Sequence, residues 1–222
     1  MRHFLDRLTP EDRDALLALG VTRTVRPGVH LLVEGARDTH VEILRKGYVK
    51  VTHAAGGVPR LIGIRLPGDI VGELGAVTGD ERQATVTTCD EVVSTVIRQA
   101  DLLPFIAAHP RVANQITATV GERLQWANTR RSEFPAYPVH VRLARVLGDI
   151  AAACGEAAGG GVLIRVRLNQ TELAALVGSA EDTVQKALRN LRGLGLIQTG
   201  YRRIVVLDLP GLLGLAERAE TG

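Results

Sequence analysis

The sequence predicts an α+β chain with a β-rich N-terminal region, a long helix and a C-terminal winged helix-turn-helix. Three observations carry this. Between residues 21 and 100, turn signals recur about every eight to twelve residues and separate short apolar or alternating runs, the pattern of an all-β sandwich or barrel. From about residue 111 to 133, apolar residues recur at three- and four-residue spacing, the mark of a helix. Between 169 and 192, two helix-start signals flank a glycine, and an apolar hairpin follows.

Bulk properties bound the function. At 222 residues the chain holds one large domain or two small ones. Apolar residues make up 45% and charged residues 23%, as in a globular protein with a core. No run approaches the ~18 apolar residues that span a bilayer. The start, Met1-Arg2-His3-Phe4-Leu5-Asp6, lacks the apolar stretch of a secretory signal. The expectation is a cytoplasmic protein without a membrane partner. Cys89 and Cys154 read as small apolar residues, too few for a Cys₄ metal site. The six histidines are scattered, and His30, His40 and His53 have no metal-ligand spacing, which argues against a cupin-like metalloenzyme. No metal, obligatory cofactor or catalytic set is expected. A formal charge of +3 and a pI near 9.2 permit a nucleic-acid partner.

Along the chain, residues 4–20 read as a short helix whose second half opens at Pro10-Glu11-Asp12 and which Gly20 ends. Strands are expected at Val41-Glu42-Ile43-Leu44, Tyr48-Val49-Lys50-Val51, Leu61-Ile62-Gly63-Ile64 and from Val92 to Ile97. Among the turns, Gly72-Glu73-Leu74-Gly75 followed by Arg82-Gln83-Ala84 stands out. It reads as a cradle for a small anion with a hydroxyl beside it. Glycines admit a ligand close to the backbone. Glu73 accepts from a hydroxyl, and Arg82 can clamp a phosphate with two parallel N–H···O bonds.

Asp101 is placed as the cap of a short helix ending near His109-Pro110. In the long helix that follows, Ala113, Ile116, Thr117, Val120, Leu124 and Ala127 form one stripe. The stripe packs either on the chain's own β domain or on the same helix of a second subunit. Phe134-Pro135-Ala136-Tyr137-Pro138 breaks the helix. The expected domains are a β domain over 1–110, the long helix over 111–134 and a C-terminal domain over 135–222. A helix over 139–154, a flexible loop over 157–161 and a strand over 162–168 come next.

Asn169-Gln170-Thr171-Glu172 fits a capping box, and the helix it opens stops at Gly178. Ser179-Ala180-Glu181-Asp182 reads as a second box, opening a helix from Thr183 to about Arg192 with Val184, Leu188 and Leu191 as its buried face. The runs from Leu196 to Thr199 and Arg203 to Leu207 form a hairpin around Gly200-Tyr201-Arg202. The second helix exposes Glu181, Asp182, Gln185, Lys186, Arg189 and Asn190. Gln185 and Lys186 can bond purine edges, and a carboxylate can accept from cytosine. Arg189, Arg202 and Arg203 suit phosphates.

With cradle, long helix and winged helix in this order, the chain resembles the bacterial cAMP receptor protein and FNR (Crp-Fnr) superfamily of transcription regulators, over roughly residues 4 to 207. The resemblance rests on Gly72-Glu73-Leu74-Gly75, Arg82-Gln83-Ala84, Gly121-Glu122-Arg123-Leu124-Gln125 and the stretch from Thr171 to Leu191. It implies a jelly-roll cyclic-nucleotide-binding-like β domain, a dimerisation helix and a winged helix-turn-helix. It implies cAMP or another cyclic nucleotide as effector, with Glu73 on the ribose hydroxyl, Arg82 on the phosphate and Gly72, Leu74, Gly75, Gln83 and Ala84 around them. Ala127 and Asn128 stand where the family's cAMP receptor has a threonine and a serine that touch adenine, so only Asn128 retains a polar group for the base. Thr171, Ser179, Glu181, Asp182, Gln185, Lys186, Arg189 and Arg202 become the DNA-binding set. The implied partners are a palindromic DNA operator with half-sites ~34 Å apart, a second copy of the chain and RNA polymerase. A vestigial cradle in a constitutive or differently gated regulator stays open as the alternative.

Overall fold

The computed structural model describes residues 3–132 and 136–218. It forms two compact units, residues 1–124 and 125–222. The first begins with a 3-10 turn, Leu5–Arg7, and helix α1, Pro10–Ala18. The helix expected over 4–20 is therefore two pieces. Pro10 disfavours helical backbone in the residue before it, and Thr9 is extended, its Oγ1 accepting from the Asp12 N–H at 3.2 Å as the N-cap.

Eight strands follow: β1 Val21–Val25, β2 His30–Leu32, β3 Val41–Lys46, β4 Val49–Ala55, β5 Val58–Arg65, β6 Ile70–Val71, β7 Thr85–Thr88 and β8 Val92–Ile97. The four expected runs lie almost wholly within β3, β4, β5 and β8. The strands make two antiparallel sheets ordered β1-β8-β3-β6 and β2-β7-β4-β5. This alternation of strands between two sheets is a jelly roll. Leu32, Leu44, Val49, Val71, Val86 and Val92 fill one core cluster. Val41, Ile43, Ile70 and Ile97 fill another, together with Leu16, Leu102, Val112 and Ile116 from the helices. A short helix, α2, Glu73–Thr78, lies between β6 and β7.

Helix α3 is Gln99–Ala108. Asp101 does not cap it. The helix begins two residues earlier, so the carboxylate falls on N3 and accepts from Arg98 Nε at 2.8 Å. Helix α4, Pro110–Ser132, buries Val112, Ile116 and Thr119. The expected single stripe is really two adjacent faces. The residues at i, i+4 and i+7 pack on the jelly roll, while Thr117, Leu124 and Ala127 remain exposed. Leu124 keeps 60% of its surface exposed. Arg7 fixes α4 from the N-terminal turn with a bidentate pair to Glu122 at 2.6 and 2.7 Å.

In the second unit, α5, Val139–Cys154, is lined by buried Leu143, Val146, Leu147 and Ala151. The helix break expected over 134–138 falls partly outside the described residues. The loop expected over 157–161 is instead part of a hairpin, β9 Gly155–Ala158 and β10 Gly161–Ile164, closed at Gly159 and Gly160. The strand expected over 162–168 stops at Ile164, because β10 meets its second partner only through Val162 and Leu163. Helices α6, Gln170–Val177, and α7, Glu181–Gly193, make the helix-turn-helix. Strands β11, Ile197–Gly200, and β12, Arg203–Val206, form the wing and extend the sheet in the order β11-β12-β10-β9. Helix α8, Leu209–Arg218, which the sequence reading did not include, packs on α5. Among the described residues no helix is long and apolar enough to cross a membrane.

The capping box of α6 is complete. Asn169 Oδ1 accepts from the Glu172 N–H, and Glu172 Oε2 accepts from the Asn169 N–H, both at 2.8 Å. Gly178 ends α6 in the left-handed region, at φ +62°. The second expected box does not form. Helix α7 starts at Glu181 with Ala180 as N-cap, so Ser179 stands one residue too early to reach the first-turn amides. Asn169→Ala is accordingly expected to lower stability by about 1 kcal/mol, and Ser179→Ala by less than about 0.5 kcal/mol. Chemical denaturation of the two variants checks the contrast.

Candidate functional site

Strand β6 runs into Gly72, which adopts φ +83° and N-caps α2 without a side chain. A Cβ there would lie 2.8 Å from Arg82 Nη1 and 3.0 Å from the His40 carbonyl oxygen. At Gly75 it would lie 3.2 Å from the same nitrogen. The glycines of the cradle thus admit the chain's own guanidinium against the backbone.

Arg82 is only 4% exposed. Its Nη1 donates to the Gly72 carbonyl at 2.8 Å and Nη2 to the His40 carbonyl at 2.5 Å. Its Nε donates to Asp38 Oδ1 at 2.7 Å, and Nη2 also bonds that oxygen. Glu73, buried at the first position of α2, accepts from Arg123 Nη1 at 2.6 Å. Arg123 also donates to the Ile70 carbonyl at 2.7 Å. Arg82 and Glu73 therefore both lie at the Gly72 turn, and each has an internal partner of opposite charge. Leu74 and Gln83 are exposed, and Ala84 is half-buried against the core. Asn128 is exposed and belongs to the part of α4 in the second unit.

Asp38, His40, Glu42 and Arg65, which the sequence reading did not select, join the site, as does Arg123, which it named only within the stretch 121–125. Glu42 is fully buried and pairs with Arg23. Ser94 Oγ bonds its carboxylate at 2.5 Å, and His40 Nε2 lies 3.5 Å away. His40 Nδ1 is 3.2 Å from Asp38 Oδ1. A polar chain thus runs from Arg23 through Glu42, His40 and Asp38 to Arg82. Burial pushes the Glu42 carboxyl up, but bonds from His40, Ser94 and Arg23 outweigh it and hold the group below its ordinary value. Arg65, at the end of β5, lays its guanidinium over Gly63, where a Cβ would lie 2.6 Å from Nη1. Burial, then the like charge of Arg123, brings Arg65 down to about 10. For Asp38, His40, Glu42 and Arg65 the sequence signal was a polar or charged residue within an apolar strand or beside a turn, whereas Arg123 lies on the long helix.

In the second unit, Glu181, Asp182, Lys186 and Arg189 are exposed on α7, while Val184, Ala187, Leu188 and Leu191 are buried. Gln185 is half-buried, and its Nε2 donates to Gln170 Oε1 at 2.6 Å, joining the two helices. Thr171 is exposed at the start of α6, and Ser179 is half-buried in the turn. Arg202 sits at the wing tip with φ +51°, next to Tyr201, which is 93% exposed. Arg142 of α5, also missed by the sequence reading, donates to the carbonyls of Val177 and Gly178 at 2.8 and 3.2 Å and completes the end of α6. Among the described residues no group of three or more His, Cys, Asp or Glu side chains is placed to hold a metal ion.

Residues 22–109 match the family model of the cyclic nucleotide-binding domain, and residues 141–215 match that of the Crp-like helix-turn-helix domain. The chain is similar to the CRP-like cAMP-activated global transcriptional regulator of Mycobacterium tuberculosis, 29% identical over 182 residues, 82% of this chain and 81% of that protein. It is 26% identical over 203 residues to the Cyclic AMP receptor protein of Thermus thermophilus, with 90% of each chain covered. A solved CRP-family transcriptional regulator from Thermus thermophilus shares the fold with a TM-score of 0.74, at 24% identity, over 88% of this chain and 96% of that one.

The Glu42 geometry sets a pH dependence. Its folded-state pKa is depressed, so its ionised form stabilises the fold above the unfolded value of about 4.3. That contribution is lost as pH falls through the lower folded value. Glu42→Gln should cost about 2 kcal/mol at neutral pH, less than a fully buried pair, because Arg23 is 43% exposed. Acid titration of stability checks it: the wild-type curve should fall more steeply than that of the variant below about pH 4.

Proposed function

Since the chain belongs to the Crp-Fnr superfamily of transcription regulators, with a cyclic nucleotide-binding domain and a DNA-binding helix-turn-helix, we propose that it acts as a homodimer whose grip on DNA is gated by a cyclic nucleotide, cAMP foremost. One observation carries the reading: Glu73, at the first position of α2, is held by Arg123 of α4. In this reading a ribose hydroxyl binds Glu73 and a phosphate binds Arg82, with Gly72, Leu74, Gly75, Gln83 and Ala84 around them and Asn128 toward the base. A hydroxyl on Glu73 competes with the guanidinium that anchors α4, and α4 runs on to Ser132. The ligand then favours whichever arrangement of α4 leaves Glu73 free, through its differential affinity for the two states.

The exposed residues Thr117, Leu124 and Ala127 of α4 support pairing with a second copy, and a DNA-binding regulator of this kind works in the cytoplasm. In the DNA complex, α7 enters the major groove. Gln185 and Lys186 face purine edges, Glu181 and Asp182 face cytosine, and Thr171, Ser179, Arg189 and Arg202 face the backbone. A second reading, a regulator that needs no ligand, is supported by the internal partners of Glu73 and Arg82.

Calorimetric titration with cAMP and cGMP separates the two readings. Gating predicts heat of binding and a ligand-dependent rise in affinity for a selected DNA site. No heat at millimolar ligand, with full DNA affinity without it, would sink gating. Glu73→Gln should weaken the nucleotide roughly tenfold or more, as loss of a bond to a charged group does. On DNA, Lys186→Ala should cost about 1–3 kcal/mol and relax selectivity at one base position, as read by competition binding. Arg189→Ala should weaken all sequences alike and reduce the salt slope by about 1.

A further inference from the structure

The phosphate position of the cradle is filled by the chain itself. A guanidinium receives an oxyanion most strongly along one edge, through two parallel N–H donors. On Arg82 the edge formed by Nε and Nη2 is the one that Asp38 takes, with Oδ1 accepting from both nitrogens. At the end of the fork, Nη1 and Nη2 each turn an N–H to a carbonyl, of Gly72 and His40 respectively. With 2% of its side chain exposed, Arg82 offers an incoming phosphate no donor edge until Asp38 leaves.

The placement of Asp38 is built into the loop. This segment, between β2 and β3, pairs with the backbone of Arg82 itself: the Gly35 N–H donates to the Arg82 carbonyl and the Arg82 N–H to the Ala36 carbonyl, both at 2.8 Å. The carboxylate is thereby carried over the guanidinium whenever the loop is folded. It is 40% exposed and outside both sheets, so it can swing into water without breaking a strand ladder. His40 Nδ1, 3.2 Å from the same oxygen, is its other neighbour.

From this geometry we infer that Asp38 is an internal anion that competes with the phosphate of the effector for Arg82, and so sets how tightly the cradle takes its ligand. The inference rests on the cyclic-nucleotide reading above. A phosphodiester and a carboxylate each carry one negative charge, so exchange of one for the other leaves the charge beside Arg82 unchanged. Binding with Asp38 in place would put two like charges on one guanidinium, which is disfavoured. An anion tethered on a short loop also acts at a high effective concentration, so it lowers the apparent affinity of any free phosphate ligand.

The test is calorimetric titration of cAMP and cGMP into full-length wild type, Asp38→Ala and Asp38→Asn. The asparagine variant keeps the shape and an acceptor but removes the charge, and thermal melting verifies the fold of each protein. Glu81→Ala serves as control, since it removes the same charge from an adjacent carboxylate that pairs with Arg37 rather than Arg82. Both Asp38 variants should bind roughly tenfold more tightly than wild type, the effect of one charge-assisted bond, with Glu81→Ala unchanged. Equal or weaker binding by the folded Asp38 variants overturns the inference and leaves nucleotide binding standing. A gain shared by Glu81→Ala overturns it as well, because net charge then explains the effect. No heat from any of the proteins at millimolar ligand sinks the cyclic-nucleotide reading and this inference with it.

Discussion

Arg82 lies almost wholly inside a small jelly roll, and its charge governs the backbone around it. A buried guanidinium is tolerated only when its donors are satisfied and its charge is paired. Two carbonyls and one carboxylate do this, drawn from the corner after β6 and the loop before β3. Gly72 must take a left-handed conformation to turn its carbonyl toward Arg82, and no Cβ fits between them. The same turn starts α2 and puts Glu73 at its first position. One ionic constraint therefore positions both groups of the cradle.

Charge also ties the jelly roll to α4. Glu122 is held by Arg7 and its neighbour Arg123 holds Glu73. Adjacent residues on a helix point about 100° apart, so the two pairs grip α4 from different sides. The apolar contacts of Val112 and Ile116 add attraction, but they fix the roll of the helix less sharply than directional ion pairs do. A change in the partner of Glu73 alters one of these directional restraints and leaves the apolar packing in place.

The second unit divides labour by face. Val184, Ala187, Leu188 and Leu191 keep α7 on the core, and Arg142 with the Asn169–Glu172 box fixes the ends of α6. Glu181, Asp182, Lys186 and Arg189 are exposed and contribute nothing to that core, so packing does not set their identity. Gln185 is an intermediate case, because it links the two helices through Gln170.

Local rules made much of this legible in the sequence. Turn residues between short apolar runs placed the strands, because backbone geometry at glycine and proline is set within a few residues. The α6 capping box and the Gly178 stop are equally local, and both formed as read. That Gly72, Glu73 and Arg82 belong together was legible from their residue types and close spacing, and the structure places them at one turn. Decisions between distant residues were not legible. That Ser179 falls short of a cap depends on where α7 begins, and that α4 buries Val112 and Thr119 rather than Ala113 and Thr117 depends on the sheet beneath it. The partners of the cradle, Asp38 for Arg82 and Arg123 for Glu73, are separated from it by 44 and 50 positions. The sequence by itself determined which charged groups stand at the Gly72 turn. Only the tertiary structure decided which partners those groups hold, because electrostatic pairing depends on distance in space, not along the chain.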